Sequence, residues 1–115
     1  MDSILTSIKK RLGITEDYEH FDADIIMDIN SVLMVLTQLG VGPKEGFYIE
    51  DKTSTWNEFL GDSIMLEAVK SYVFLRVRLM FDSTTLSSTV IESMKQQISE
   101  LEWRLNVAVD IPQTE

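Results

Sequence analysis

From Ile91 onward the apolar residues Ile91, Met94, Ile98, Leu101, Leu105 and Ala108 recur at alternating spacings of three and four, the period of one helix face. A strand alternates every second residue and cannot gather this set on one side. The spacing predicts a helix over 89–108, roughly 30 Å long at about 1.5 Å per residue, with this stripe as its core seam. At roughly 100° per residue, Trp103 projects about 170° from the centre of the stripe, among Glu92, Gln96, Ser99, Glu100 and Asn106. A tryptophan side chain carries roughly 150–250 Å² of surface, so water contact on a polar face is unfavourable and cover is expected. That cover is either another part of the chain or another subunit.

The same period recurs upstream. Asp2 is placed to cap a first helix carrying Ile4, Leu5, Ile8 and Leu12 on one side. Lys9, Lys10 and Arg11 sit at its C-terminal end, where cations favour the helix dipole, and Gly13 can close it. A second helix is predicted over 22–39, with Ile25, Ile29, Val32, Leu36 and Leu39 on one stripe and Gly40 just beyond. Its opposite side holds Met27 and Met34 beside Asn30 and Gln38, which marks a second contact surface.

Gly42, Pro43 and Gly46 break the pattern over 41–52, and the brief apolar run Phe47, Tyr48, Ile49 leaves room for one short strand in a loop. Thr55 and Glu58 have capping-box spacing, so 56–60 reads as one helical turn anchored by Trp56 and ended by Gly61. The segment 63–81 is apolar almost all round, as expected of a helix buried between neighbours. Arg76 lies on the side of Met65, Val69, Tyr72 and Met80, so its guanidinium requires an acid such as Asp28 or Glu100, a route to water, or a partner protein. A polar turn over 82–88 precedes the last helix. The fold class expected is all-α: a small bundle of four main helices, with a long loop and one short helical turn between the second and third. One domain over 1–108 is followed by a flexible tail over 109–115.

Hydrophobic residues make up 44% and charged residues 25% of the 115, values of a globular chain rather than a disordered one. No apolar run reaches the roughly 18 residues of a membrane span, and no basic segment precedes an apolar one at the start, so neither a membrane contact nor a leader is expected. The absence of cysteine removes disulfides, thiolate nucleophiles and zinc-thiolate sites. A net charge of −9 opposes tight wrapping of nucleic acid. The acids Glu16, Asp17, Glu19, Asp22, Asp24 and Asp28 follow one another without a Lys or Arg between them. They form either a solvated face or a surface that repels DNA passing near it.

The catalytic inventory is sparse. His20 is the sole histidine, so HExxH and two-histidine metal sites are impossible, and no Gly-x-Ser-x-Gly elbow accompanies it. Gly40-Val41-Gly42 ends a helix where a phosphate-binding loop would begin one. Asp24 and Asp28 lie one turn apart, an arrangement that can hold Mg²⁺ when other helices add oxygens, as in all-α nucleotide pyrophosphohydrolases. The third helix offers only Glu67, and Asp51 and Asp62 are isolated. No catalytic, metal or cofactor residue is therefore expected. Binding by shape remains, with Trp103, Met27, Met34, Phe47, Tyr48, Arg76 and Arg104 as candidate interface residues, since aromatics, Met and Arg are favoured at interface cores.

The ordered series Gln38-Leu39-Gly40-Val41-Gly42-Pro43, Trp56 with Phe59-Leu60, Val69-Lys70-Ser71-Tyr72 leading through Arg76 to Phe81-Asp82, and Leu101-Glu102-Trp103-Arg104-Leu105-Asn106 resembles the phage head-tail connector proteins. These are small helical portal adaptors, or head-completion proteins, of long-tailed phages and prophages of Gram-positive bacteria. The resemblance spans about 4–107 and departs at Ser83, where many relatives carry proline. It implies a non-enzymatic subunit of a ring, dodecameric to match the portal, that links the DNA-filled head to head-completion or tail proteins. It also implies assembly in the bacterial host cytoplasm, residence at the virion head-tail joint, no cofactor, and DNA passing through the channel without specific binding. A ring of identical subunits joins one face to a different face of the next copy, and Trp103 and the Met27/Met34 surface supply two such faces. A metal-dependent nucleotide pyrophosphohydrolase and a helical protein-binding regulator are the other classes left open.

Overall fold

In the computed structural model, which describes residues 3–110, the periodic segments become helices α1 (Ile4–Arg11), α2 (Asp22–Gln38), α4 (Leu66–Asp82) and α5 (Ser88–Asp110). Between α2 and α4 lies the single-turn α3 (Trp56–Leu60), and a 3-10 turn (Ser83–Thr85) joins α4 to α5. The all-α class and the four-helix plan hold.

α4 packs against both α2 and α5 and is the centre of the bundle. Its Val69, Tyr72, Val73 and Val77 are buried, as are Ile25, Ile29, Val32, Leu33 and Leu36 of α2. From α5 come Met94, Ile98 and Leu105, so the stripe on the last helix faces the core as its period requires. α1 adds Ile4, Leu5 and Ile8. An eight-residue helix is marginal by itself, and α1 is held from outside. The Trp56 indole is 1% exposed and donates from Nε1 to Ser7 Oγ at 2.8 Å, while Ile4 N donates to Ser54 O at 3.0 Å. α3 thus clamps α1 to the bundle.

The capping box at α3 forms with both halves, Thr55 Oγ1 accepting from Glu58 N and Glu58 Oε1 accepting from Thr55 N. Gly40 follows α2 at φ +90°, a conformation that favours glycine, and a Cβ there would meet Val109 at 2.8 Å. The end of α5 therefore sits against the end of α2.

Three boundaries and one element differ from expectation. Ser3, not Asp2, caps α1, accepting from Thr6 N at 3.1 Å; Asp2 lies outside the described residues. α4 begins at Leu66 rather than 63, because Ser63 Oγ captures Met65 N at 3.0 Å and holds 63–65 as a turn. α5 continues past 108 through Asp110, with Val109 packed on the core, and the rest of the expected tail, 111–115, lies outside the described residues. No strand forms among the described residues; the chain makes only an isolated bridge between Ser3 and Thr55. The loop over 41–52 is fastened instead by Asn30, whose side-chain amide donates to Ile49 O at 2.9 Å and accepts from Ile49 N at 2.8 Å. Within the loop, Val41 and Ile49 are buried.

Candidate functional site

Two exposed surfaces stand out, one on α5 and one on α2. Trp103 is 67% exposed, and no described part of the chain covers it. The rotation of α5 that presents it is fixed by the buried seam of Met94, Ile98 and Leu105 and, one residue before Trp103, by Glu102. Glu102 Oε2 accepts from Arg76 Nη1 at 2.7 Å and from the Tyr72 hydroxyl at 2.7 Å, and Arg76 also donates to that hydroxyl at 3.0 Å. With Glu102 locked to α4, the next residue around the helix turns away from the bundle. Burial pushes the Tyr72 hydroxyl up to about 12, with the Glu102 carboxylate adding to the rise. Arg76 thus has an internal partner, but Glu102 rather than the expected Asp28 or Glu100. Arg104 lies exposed beside Trp103 and pairs with Glu100 one turn back at 2.9 Å, while Val107 is exposed one turn on.

On α2, Met27 and Met34 are 68% and 60% exposed. Asn30 stands between them and fixes Ile49, and Tyr48 beside it is exposed. Phe47 is different: it lies half-buried with its ring 5.2 Å from that of Phe59, inside the chain's own packing. At the N-terminal end of α2 a groove opens against the end of α4, floored by Phe21 and Phe81, whose rings meet edge-on at 5.3 Å. Its walls carry Met27 and Met80 together with Asp24, Asp28 and Asp82, and none of its lining residues is basic. Burial, and then the charge of Asp24, raises the Asp28 carboxyl above its ordinary value.

The six clustered acids divide. Glu16, Asp17 and Glu19 are exposed on the connection between α1 and α2, Asp24 and Asp28 face the groove, and Asp22 lies 2.8 Å from the Lys9 ammonium. Lys9 is 2% exposed and also donates to Glu16 O at 3.0 Å and Tyr18 O at 2.8 Å. Sequence reasoning placed this lysine with the helix dipole; its ammonium instead ties down the α1–α2 connection. Met80 and Asp82 were likewise missed as groove residues. The signal available was a helix ending in Met80-Phe81-Asp82 with no basic residue in its last turn.

The geometry offers little to metal chemistry. Glu67, the third acid a nucleotide hydrolase would need, is at the opposite end of α4 from the groove, roughly 20 Å along the axis at about 1.5 Å per residue. Among the described residues no three His, Asp or Glu side chains converge as metal ligands. His20 is exposed with its ring 4.7 Å from that of Phe21. No described helix is long and apolar enough to cross a membrane.

A family model described as phage connector protein matches residues 4–112, which takes in every element of the fold. The chain belongs to this family. No curated protein and no solved structure matches it. Membership makes this connector protein a structural component of a phage particle that assembles with head or tail components. The exposed surfaces on α5 and α2 both lie within the matched residues.

Proposed function

We propose that this connector protein is a subunit of a ring, dodecameric to match the portal, that docks beneath the portal after DNA packaging and offers its far side to head-completion or tail proteins. The observation that carries the reading is the exposure of Trp103 in a chain that belongs to the connector family. A tryptophan two-thirds exposed opposite a well-formed core seam gains little from its own subunit, and tryptophan is among the residues most enriched at the centres of protein contacts. The Met27/Met34 surface supports the same reading, because a closed ring needs two different faces on each subunit. The exposed carboxylates of Glu16, Asp17 and Glu19 suit a channel that DNA crosses without adhering. Subunits assemble in the host cytoplasm and reside at the head-tail joint of the finished virion.

The test is to mix the purified chain with portal particles from the same phage and examine the products by sedimentation and electron microscopy. Twelvefold density added at one end of the portal is expected. A chain that stays unbound by portal at every concentration, or that captures none of the head-completion or tail proteins once bound, would overturn the reading.

A further inference from the structure

The groove between the start of α2 and the end of α4 is lined by acidic and apolar groups with no cation among them. Among the described residues, its one carboxylate with a side-chain hydrogen bond, Asp82, accepts from the neutral Thr85 hydroxyl at 2.8 Å. Asp24, Asp28 and Asp82 bring three carboxylates around two exposed thioethers, Met27 and Met80. The C-terminal end of α4 adds the negative pole of a helix, with no basic residue in its last turn to offset it. Burial and the neighbouring Asp24 raise the Asp28 carboxyl above its ordinary value, a rise that a cation in the groove would offset. A flat apolar group bearing a cation meets every one of these demands. Methionine sulfur packs well on aromatic rings, and a guanidinium pairs with carboxylates through directed hydrogen bonds.

The chain itself presents such a group. Trp103 and Arg104 are both exposed at consecutive positions of α5, about 100° apart around the helix, with Val107 exposed one turn beyond Trp103. Among the described residues Arg104 is held by an exposed pair to Glu100 one turn back, a weak and solvent-screened contact that is readily exchanged for another carboxylate. Donor and acceptor surfaces lie on different helices, and each subunit has one of each. A contact of this kind is heterologous, so it propagates from copy to copy and closes into a ring if the rotation permits.

We infer that the groove walled by Asp24, Met27, Asp28, Met80 and Asp82 receives Trp103 and Arg104 of a second copy of this chain. The ring stoichiometry rests on the connector reading above; the pairing of these two surfaces rests on their complementary chemistry.

The absence of cysteine makes the test clean. Ser31→Cys, one turn from Met27, and Asn106→Cys, beside Trp103, are exposed positions that leave both surfaces intact. Under assembly conditions, on portal if necessary, a short bis-maleimide is expected to cross-link the two variants when mixed and neither variant to itself. Trp103→Ala should weaken self-association by about 30-fold, the loss typical of a central tryptophan, with an unchanged melting temperature. Arg104→Asp should weaken it too, and Asp24→Arg in the same chain should restore it.

Rings that form without the mixed cross-link would overturn this seam and leave the connector reading standing. Self-cross-linking of Asn106→Cys would overturn it in favour of a symmetric dimer. Protection of the groove only when a head-completion or tail protein is added would assign the groove to that protein instead. A chain that associates neither with itself nor on portal would overturn the seam and the connector reading together.

Discussion

Arg76 of α4 and Glu102 of α5 meet at 2.7 Å, one residue before the exposed Trp103. The pair is half-buried and shares the Tyr72 hydroxyl, so it joins the central helix to the helix that carries the candidate contact. Glu102→Gln leaves Arg76 without its carboxylate and is expected to destabilise the fold by about 1.5–3 kcal/mol, the range for a hydrogen bond to a charged group. Urea unfolding measures this directly. An unchanged midpoint would mean that α5 is positioned by its apolar seam alone.

The same cluster predicts an alkaline limit. The Tyr72 hydroxyl is raised from 10.0 to about 12, chiefly by burial. The folded state therefore holds this proton more tightly than the unfolded chain does. Its contribution is fully present below pH 10 and is lost as pH rises towards about 12. Urea midpoints of Tyr72→Phe, followed over that window, should decline less steeply than those of the parent chain.

Lys9 should be among the most sensitive charged positions. Its buried ammonium serves Asp22 and two backbone carbonyls at once. Lys9→Ala is expected to cost about 3–5 kcal/mol, because it strands a carboxylate that has no other described partner. Asp22→Asn in the same chain should recover part of the loss, and limited proteolysis of Lys9→Ala should cut first between α1 and α2.

The two tryptophans are expected to behave oppositely. Trp56→Ala empties a core site and should cost about 3–5 kcal/mol. Trp103→Ala in the free subunit should stay within about 0.5 kcal/mol of the parent. In a Trp56→Phe background, Trp103 emission should be that of a water-exposed indole in the dilute chain and shift to the blue as subunits assemble. A maximum that ignores assembly would leave Trp103 outside the contact.

Much of the fold was legible because local rules agreed with one another. The three-and-four spacing of Ile91 to Ala108, the Thr55/Glu58 box and Gly40 after α2 each specify a helix or its end without reference to the rest of the chain. Boundaries shifted where a nearby side chain captured a backbone N–H, as Ser63 does before α4 and Ser3 before α1. Among the candidate interface residues, Trp103, Met27, Met34 and Tyr48 are exposed, whereas Phe47 is engaged by Phe59 and Arg76 by Glu102.

By itself the sequence determined which side of its own helix each residue occupies, and hence that Trp103 opposes the core seam. That information is local, since a period of about 3.6 residues is a property of one helix. Only the tertiary structure decided what stands opposite each side. It brought Met80 and Asp82 from the end of α4 against Met27 and Asp28 of α2, gave Arg76 to Glu102, and buried Lys9 beneath the connection that follows it. Those pairings depend on how helices pack around α4, and periodicity within a single helix carries no record of which neighbour approaches it.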